Sequence, residues 1–295
     1  MSQSNPLDFD SLWDYSNPVQ TEIKFREVLK QIPETESAHL ELLTQIARTQ
    51  GLQRKFDEAH ETLNQVEKEL KEESKVKVRY LLERGRVFNS SKHPDKAKPF
   101  FEEAFELAKK LKEDNYAVDA IHMLAIVADP ADSLNLNLQA IAYAEASPDE
   151  KARDWLGSLY NNTGWSYHDT GDYESALKIF EKAEAFRRLA LSRVEVSKND
   201  ASRLRIATWA VARCLRSMNR IEESLSKQMG LLKEFESVGE TDGYVFEEIG
   251  ECLLLLNRNE EAKPYFAKAY QELSQDVFLV DNEPERLKRL KELGN

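Results

Sequence analysis

The chain has 295 residues, of which 32% are charged and 41% hydrophobic, and it carries a formal net charge of -12. This composition is typical of a soluble, helix-rich protein and excludes a disordered or fibrous one. The acidic balance argues against a general binder of nucleic acid or anionic membranes, although it leaves room for a local basic patch. We expect a cytoplasmic protein, because no basic segment precedes an apolar core at the amino terminus and no run of about 18 apolar residues occurs.

Amphipathic helices separated by short breaks are predicted along the chain. A first helix begins at Asn17 and Pro18, a cap followed by proline at the first helical position. Further segments place apolar residues three and four apart, as at residues 56–70 and 95–111. A long helix is predicted over residues 173–198. No segment has the pattern of a strand, and the breaks lie near residues 52, 92, 170, 218 and 257.

A pair of small residues recurs across these breaks, the second always twelve positions after the first. We call the first member of each pair the anchor. Small residues at both places allow two antiparallel helices to approach closely across a short turn. The five pairs are Ala47 with Ala59, Gly85 with Ala97, Gly164 with Ala176, Ala212 with Ser224, and Gly250 with Ala262. Larger residues follow four positions further on: Leu63, Phe101, Phe180, Gln228 and Phe266.

This pattern resembles the tetratricopeptide repeat family, and its best match consists of Gly164, Tyr167, Tyr173, Ala176, Phe180 and Ala183. The resemblance implies an all-α fold, an α-solenoid (right-handed superhelix) of antiparallel helix pairs with about six repeats and terminal capping helices. A degenerate repeat is expected at residues 115–147, where Ser133 and Ala140 keep the second-helix spacing. We expect a flexible segment at residues 1–16 and one domain over residues 17–295, capped by a charged helix that Gly294 closes.

In a solenoid of helix pairs the first helices line the concave side, so residues around the anchors are candidates for ligand contact. Arginines and tryptophans recur there, which is unexpected in so acidic a chain. Peptide-binding members of the family carry an asparagine two residues before the anchor to bond a ligand backbone, and Asn162 occupies that place. The candidate ligand-binding residues are Arg48, Arg79, Arg86, Asn89, Asn161, Asn162, Trp165, His168, Trp209, Arg213 and Arg216.

The other repeats depart from the asparagine pattern, since the equivalents of Asn162 are Gln45, Glu83, Ala210 and Glu248. This departure counts against recognition of a chaperone tail. A structural interpretation of the candidate residues also stays open. First-helix arginines often pair with acidic residues of the next helix, and Trp165 and Trp209 can fill space between layers. Guanidinium groups without internal partners would instead attract an anion.

The sequence predicts a non-catalytic scaffold that binds an extended acidic peptide or protein segment, with no nucleic acid, membrane, metal or cofactor. One alternative is a regulatory sensor of a signalling peptide or small anionic metabolite. Another is an enzyme whose site is assembled from distant helices, although no hydrolase, metalloprotease or phosphate-loop motif occurs and no catalytic residue is predicted. Cys214 and Cys252, which belong to no CxxC motif, are predicted to be reduced thiols packed between helices.

Overall fold

The computed structural model describes residues 9–192 and 198–295, except for the side chains of residues 131, 198 and 199. All regular structure in these ranges is helical, which confirms the predicted all-α class. The helices belong to two compact units, Met1–Leu156 (unit 1) and Gly157–Asn295 (unit 2). In the described ranges no helix is long and apolar enough to cross a membrane.

Unit 1 opens with a 3-10 helix, Phe9–Leu12, ahead of its α-helices. The α-helices are α1 (Pro18–Leu29), α2 (Ser37–Leu52), α3 (Phe56–Glu69), α4 (Lys75–Ser90), α5 (Pro94–Leu111), α6 (Asp114–Val127), α7 (Pro130–Ala146) and α8 (Glu150–Asp154). Helices α2 and α3, α4 and α5, and α6 and α7 pack as consecutive pairs. The pair α6 and α7 occupies the region of the predicted degenerate repeat, and Ala140 is fully buried in it.

Unit 2 has the same construction. Its helices are α9 (Leu156–Asp169), α10 (Tyr173–Ala190), α11 (Lys198–Ser217), α12 (Ile221–Ser237), α13 (Gly243–Leu255), α14 (Asn259–Leu273), α15 (Val277–Asn282) and α16 (Pro284–Leu293). The pairs are α9 with α10, α11 with α12, and α13 with α14. The prediction of one long helix over residues 173–198 is wrong at its carboxyl-terminal end. The helix ends at Ala190, and Leu191 and Ser192 form a tight turn after it. Residues 193–197 lie outside the described residues.

One turn geometry joins the helices of all five anchored pairs. The residue seven positions after each anchor has a positive φ, the left-handed conformation that follows many helix ends. These residues are Arg54, Lys92, Gly171, Asn219 and Asn257. The next residue donates its N–H to a carbonyl five positions back, as Lys55 does to Gln50 at 2.9 Å. Because only one of the five is glycine, the other four turns hold a side chain in a conformation that L-residues disfavour.

The glycine anchors are explained by a phenylalanine on the second helix. A Cβ atom added to Gly85 would lie 2.5 Å from the Phe101 ring, and one added to Gly164 would lie 2.4 Å from the Phe180 ring. Gly250 and Phe266 repeat this contact. The alanine anchors occur where the equivalent second-helix residue is not aromatic: Ala47 with Leu63 and Ala212 with Gln228. Anchor size therefore follows the size of its facing residue.

The terminal helices pack onto their neighbours as predicted. Asn17 caps α1 by accepting a hydrogen bond from the Gln20 backbone N–H at 3.1 Å. Helix α1 packs on α2 through the fully buried Phe25, and α16 packs on α14 through Leu287 and Leu290. Residues 1–16 were predicted to be flexible. Within them residues 1–8 lie outside the described residues, and Phe9 is buried against the α1–α2 core.

Candidate functional site

The candidate residues all lie on the first helices of the pairs. We call the side chains that α2, α4 and α6 present to one another the unit 1 face, and those that α9, α11 and α13 present the unit 2 face. Arg48, Arg79 and Arg86 belong to the unit 1 face. Asn161, Asn162, Trp165, His168, Trp209, Arg213 and Arg216 belong to the unit 2 face. Each set is therefore brought together within its own unit.

The unit 1 face contains a chain of ion pairs that runs across its three helices. Arg48 on α2 contacts Glu83 on α4, with 3.2 Å between Nη1 and Oε2. The other oxygen of Glu83 accepts from Arg86 at 2.7 Å, and Arg86 also bonds Asp119 on α6. Two guanidinium groups thus meet two carboxylates. Because this network is neutral and satisfied internally, Arg48 and Arg86 leave no charge for a ligand.

Arg79 has a separate set of acidic partners. Its side chain is only 7% exposed, and it bonds Glu41 at 2.9 Å and Asp10 at 2.8 Å. The Tyr116 hydroxyl accepts a third bond at 3.0 Å, and Lys75 also binds Glu41 at 3.0 Å. The predicted anion site at Arg79 is therefore already filled by carboxylates of this chain. Asn89, by contrast, lies half-buried near the end of α4.

On the unit 2 face two arginines share one carboxylate. Arg216 binds both oxygens of Glu248, at 2.7 and 2.9 Å, and the Nε atom of Arg213 lies 3.1 Å from Oε1 of the same residue. Glu248 is buried, whereas both arginines are half-buried. Two positive groups therefore bind one carboxylate, while Glu251, whose charge also attracts Arg216, is paired with Arg289. A further carboxylate would balance this cluster through charge-assisted hydrogen bonds.

His168 extends this cluster towards α9. Its Nε2 atom lies 2.9 Å from the Ser217 hydroxyl, which also accepts a hydrogen bond from Arg213 at 2.6 Å. Burial lowers the pKa of His168, and the positive charge of Arg213 lowers it further. The ring is thus neutral at pH 7 and serves as a hydrogen-bonding group rather than as a further cation.

Aromatic rings link the three helices of the unit 2 face. The Trp165 and Trp209 rings lie 6.0 Å apart between centroids, and the Trp209 and Tyr244 rings lie 6.2 Å apart. Trp209 donates its indole N–H to the Tyr244 carbonyl at 3.3 Å. Trp165 also packs on Phe180, so it fills space between layers as well as lying on the face. Both tryptophans are half-buried, which leaves part of each ring open to solvent.

Two open pockets adjoin on this face. The larger, of about 320 Å³, is mainly apolar and is lined by Ser202, Arg205, Ile206, Trp209, Phe235, Asp242, Tyr244 and Val245. The smaller, of about 180 Å³, is lined by Gly157, Ser158, Asn161, Asn162, Arg187, Arg203, Ile206 and Ala207. Ile206 belongs to both pockets and is 56% exposed. In the smaller pocket the buried Oδ1 atom of Asn161 has no hydrogen-bond partner among the described residues.

The helical repeat aligns these features along α11. Ile206, Trp209, Arg213 and Arg216 follow one another at intervals of three and four residues, so they form one stripe. The stripe runs from the apolar pocket to the arginine pair. Asn162, Trp165 and His168 form a matching stripe on α9.

The family model described as tetratricopeptide repeat matches residues 78–111 and 157–187. These ranges contain the glycine anchors of α4 and α9 and their facing phenylalanines. Two of the helix pairs are thus tetratricopeptide repeats. No curated protein matches the sequence significantly.

Several solved structures share this fold. RapI in its apo form is 14% identical, with a TM-score of 0.71, and the match covers 91% of this chain and 76% of RapI. NprR in complex with its cognate peptide NprX is 16% identical, with a TM-score of 0.57 and coverage of 96% and 81%. PH0952 from Pyrococcus horikoshii, a signal transduction ATPase with a tetratricopeptide repeat sensor, is 12% identical with a TM-score of 0.70. That match covers 97% of this chain and 44% of PH0952.

The first-helix arginines pair with carboxylates of this chain, as the alternative interpretation of the sequence predicted. The residue after an anchor pairs with the residue two before the next anchor: Arg48 with Glu83 and Arg213 with Glu248. Sequence reasoning did not select the acidic partners Asp10, Glu41 and Asp119 or the pocket residues Ile206, Phe235 and Tyr244, although Glu41, Ile206 and Tyr244 share one position, six residues before their anchors. Glu83 and Glu248 occupy the asparagine position of the tetratricopeptide repeats. This shared position was the sequence signal that could have predicted the pairing.

Proposed function

We propose that unit 2 is a non-catalytic binding module that takes an extended peptide or protein segment across α9, α11 and α13. The observation that carries this proposal is the exposed Ile206 between two adjoining pockets, one apolar and one lined by asparagine amides. An apolar pocket with a few polar groups beside it is the usual form of a ligand site. NprR, which shares the fold, was solved with a peptide bound.

Each part of the unit 2 face suits a different part of such a ligand. The apolar pocket fits one aromatic or branched aliphatic side chain. The amides of Asn161 and Asn162 can accept from and donate to a peptide backbone, because one planar amide offers both functions. The Arg213 and Arg216 pair suits a carboxylate, either an acidic side chain or a chain terminus. We therefore propose a ligand that combines an apolar side chain with a nearby acidic group.

The unit 1 arginines are not part of this proposed site. Arg48, Arg79 and Arg86 were predicted to bind an acidic ligand, but carboxylates of this chain already neutralise them. The prediction required an excess of positive charge. Such an excess occurs instead around Glu248, where two guanidinium groups share one carboxylate.

Selection from a random peptide library on the full chain tests this function. We expect recovered peptides to share an apolar residue and an acidic residue, and Ile206→Glu to abolish their binding. Leu255→Glu is the matched control, since Leu255 is an exposed apolar residue of similar exposure, 52%, on α13 of the same unit. Failure to recover any peptide, or equal effects of the two substitutions, would contradict the proposal.

A further inference from the structure

Helix α15 carries an exposed apolar patch that lies outside the five anchored helix pairs. Val277 is 72% exposed, Phe278 64% and Val280 47%, so three large apolar side chains face solvent within one short helix. We call these three side chains the α15 patch. Single exposed apolar residues are common on protein surfaces, but a contiguous group of them marks a contact surface. The α15 patch therefore indicates an interaction site on unit 2.

Packing within unit 2 does not require this patch to be apolar. Among the residues of α15 only Leu279 is buried, and it joins the core formed by α13, α14 and α16. The Asp276 carboxylate caps the helix by accepting the Phe278 backbone N–H at 2.8 Å, a bond that does not involve the phenylalanine ring. Polar side chains at positions 277, 278 and 280 would keep both contacts. The apolar side chains therefore contribute to contact with another molecule rather than to the fold.

The chemistry of the α15 patch defines the surface that can cover it. Asp276 and Asp281 are exposed and lie at the two ends of the patch. A complementary surface thus combines an apolar pocket with positive groups around it. The apolar pocket of unit 2 has this combination, because Arg205 lines it and the Arg213 and Arg216 pair lies further along α11.

Arg205 can bind a further carboxylate at this pocket. Its guanidinium lies 4.5 Å from the Phe235 ring centroid and contacts Glu240 at 2.9 Å. The Glu240 side chain is 61% exposed, and an ion pair at the surface contributes little to stability. A carboxylate that arrives together with an apolar side chain can therefore join or replace Glu240.

The α15 patch and the apolar pocket belong to the same unit but do not meet within it. The pocket is lined by residues of α11, α12 and α13 and by Asp242, and Phe278 is not among them. Leu279 fixes α15 against the core that α14 and α16 share. The patch therefore reaches such a pocket only on another molecule.

Building on the proposed function of unit 2, we infer that its ligand is the α15 patch of a second copy of this chain. Phe278 of one copy enters the apolar pocket of the other, beside Ile206 and Trp209. Asp281 follows about one helical turn later and meets Arg205, so the patch supplies the apolar and acidic groups proposed for the ligand. A reciprocal contact closes the two copies into a two-fold pair, in which each copy is both ligand and receptor.

Sedimentation equilibrium of the full chain tests this pairing. We expect a reversible equilibrium between monomer and dimer, and we expect Phe278→Asp and Ile206→Glu each to weaken pairing by about tenfold or more. Leu255→Glu is the matched control and should leave the equilibrium unchanged, since Leu255 is an exposed apolar residue of unit 2 that belongs to neither surface. A chain that stays monomeric, or equal effects of the three substitutions, would overturn the inference.

A mixture of the two variants gives a sharper measurement. Phe278→Asp keeps its pocket and Ile206→Glu keeps its patch, so a mixed pair retains one of its two contacts. With one variant fluorescently labelled, we expect the mixture to associate more strongly than either variant alone, and no gain on mixing would contradict the inference. Phe278→Asp should also bind the peptides selected on the full chain at least as well as the unmodified chain. If it binds them and still pairs as the unmodified chain does, the inference fails and the proposed function stands.

Discussion

The two first-helix faces have the same construction and differ in how their charges are completed. In unit 1, Arg79 and Lys75 share Glu41, and Asp10 provides the second carboxylate. In unit 2, Arg213 and Arg216 share Glu248, and the nearby Glu251, whose charge also attracts Arg216, is itself paired with Arg289. An arginine on a repeat face therefore does not by itself indicate a ligand site. The balance of charges around it does.

Removal of the shared carboxylates should lower the free energy of unfolding more than any other change to the two faces. Glu248→Gln removes the buried carboxylate that Arg213 and Arg216 share, and we expect the free energy of unfolding to fall by about 3–5 kcal/mol. Glu41→Gln should lower it less, by about 1–3 kcal/mol, because Arg79 keeps Asp10. Urea unfolding followed by circular dichroism measures both variants. A loss for Glu41→Gln as large as that for Glu248→Gln would contradict this account of the charges.

The anchor contacts are shared by both units and should respond to size alone. Gly164→Ala places a Cβ against the Phe180 ring, and we expect it to lower the free energy of unfolding by about 1–3 kcal/mol. Phe180→Leu should restore part of this loss, since alanine faces leucine at Ala47 and Leu63. The control is Gly230→Ala in α12, where a Cβ would meet open space and should raise stability by about 0.5–1 kcal/mol. Thermal melts of Gly164→Ala, of Gly164→Ala combined with Phe180→Leu, and of Gly230→Ala decide between these effects.

Arg213→Gln should weaken ligand binding by the unit 2 face and leave the stability of the fold nearly unchanged. Arg216 alone can hold both oxygens of Glu248, so the fold should keep its melting temperature to within a few degrees. Selected peptides with an acidic residue should bind about tenfold more weakly, a loss of about 1.4 kcal/mol. Peptides in which that residue is replaced by its amide should be unaffected. Calorimetric titration checks both, and equal weakening of the two peptides would argue against a carboxylate contact.

The smallest expected effect compares one turn in each unit. Lys92 and Gly171 occupy the same left-handed position after their anchors, with φ of 67° and 81°. Lys92→Gly should raise the free energy of unfolding by up to about 1 kcal/mol, because glycine adopts this conformation without strain. Gly171→Lys should lower it by a similar amount. Unfolding midpoints of the two variants should therefore move in opposite directions.

The repeat pattern predicted the fold because helix pairing depends on residues close together in the chain. An anchor, its turn and its facing phenylalanine lie within one helix pair, so spacing alone specified their contact, as for Gly164 and Phe180. The end of α10 at Ala190 was not foreseen, since the amphipathic pattern continues beyond it. Charge pairing between repeats depends on the register of separate helices, which spacing within one pair does not define.

For the proposed site, too, the sequence pattern predicted only part of the arrangement. Sequence reasoning selected Asn162, Trp209 and Arg213 from their places relative to the anchors, and the structure brings them onto one face. It could not foresee Asp10 beside Arg79, because Asp10 lies outside the repeats and shares no position with them. Ile206 was not selected as a candidate, since an apolar residue on an amphipathic helix is usually buried, and only the structure shows its exposure.

The indole N–H signals of the four tryptophans test the central claim most directly. Trp13 and Trp155 lie in unit 1, whereas Trp165 and Trp209 lie in unit 2. A nitrogen–proton correlation spectrum of the full chain, assigned with single Trp→Phe variants, can be followed during titration with a selected peptide. We predict that the Trp209 and Trp165 signals shift in step with peptide binding, while the Trp13 and Trp155 signals stay in place. Shifts at Trp13 or Trp155 with none at Trp209 would contradict the assignment of peptide binding to the unit 2 face.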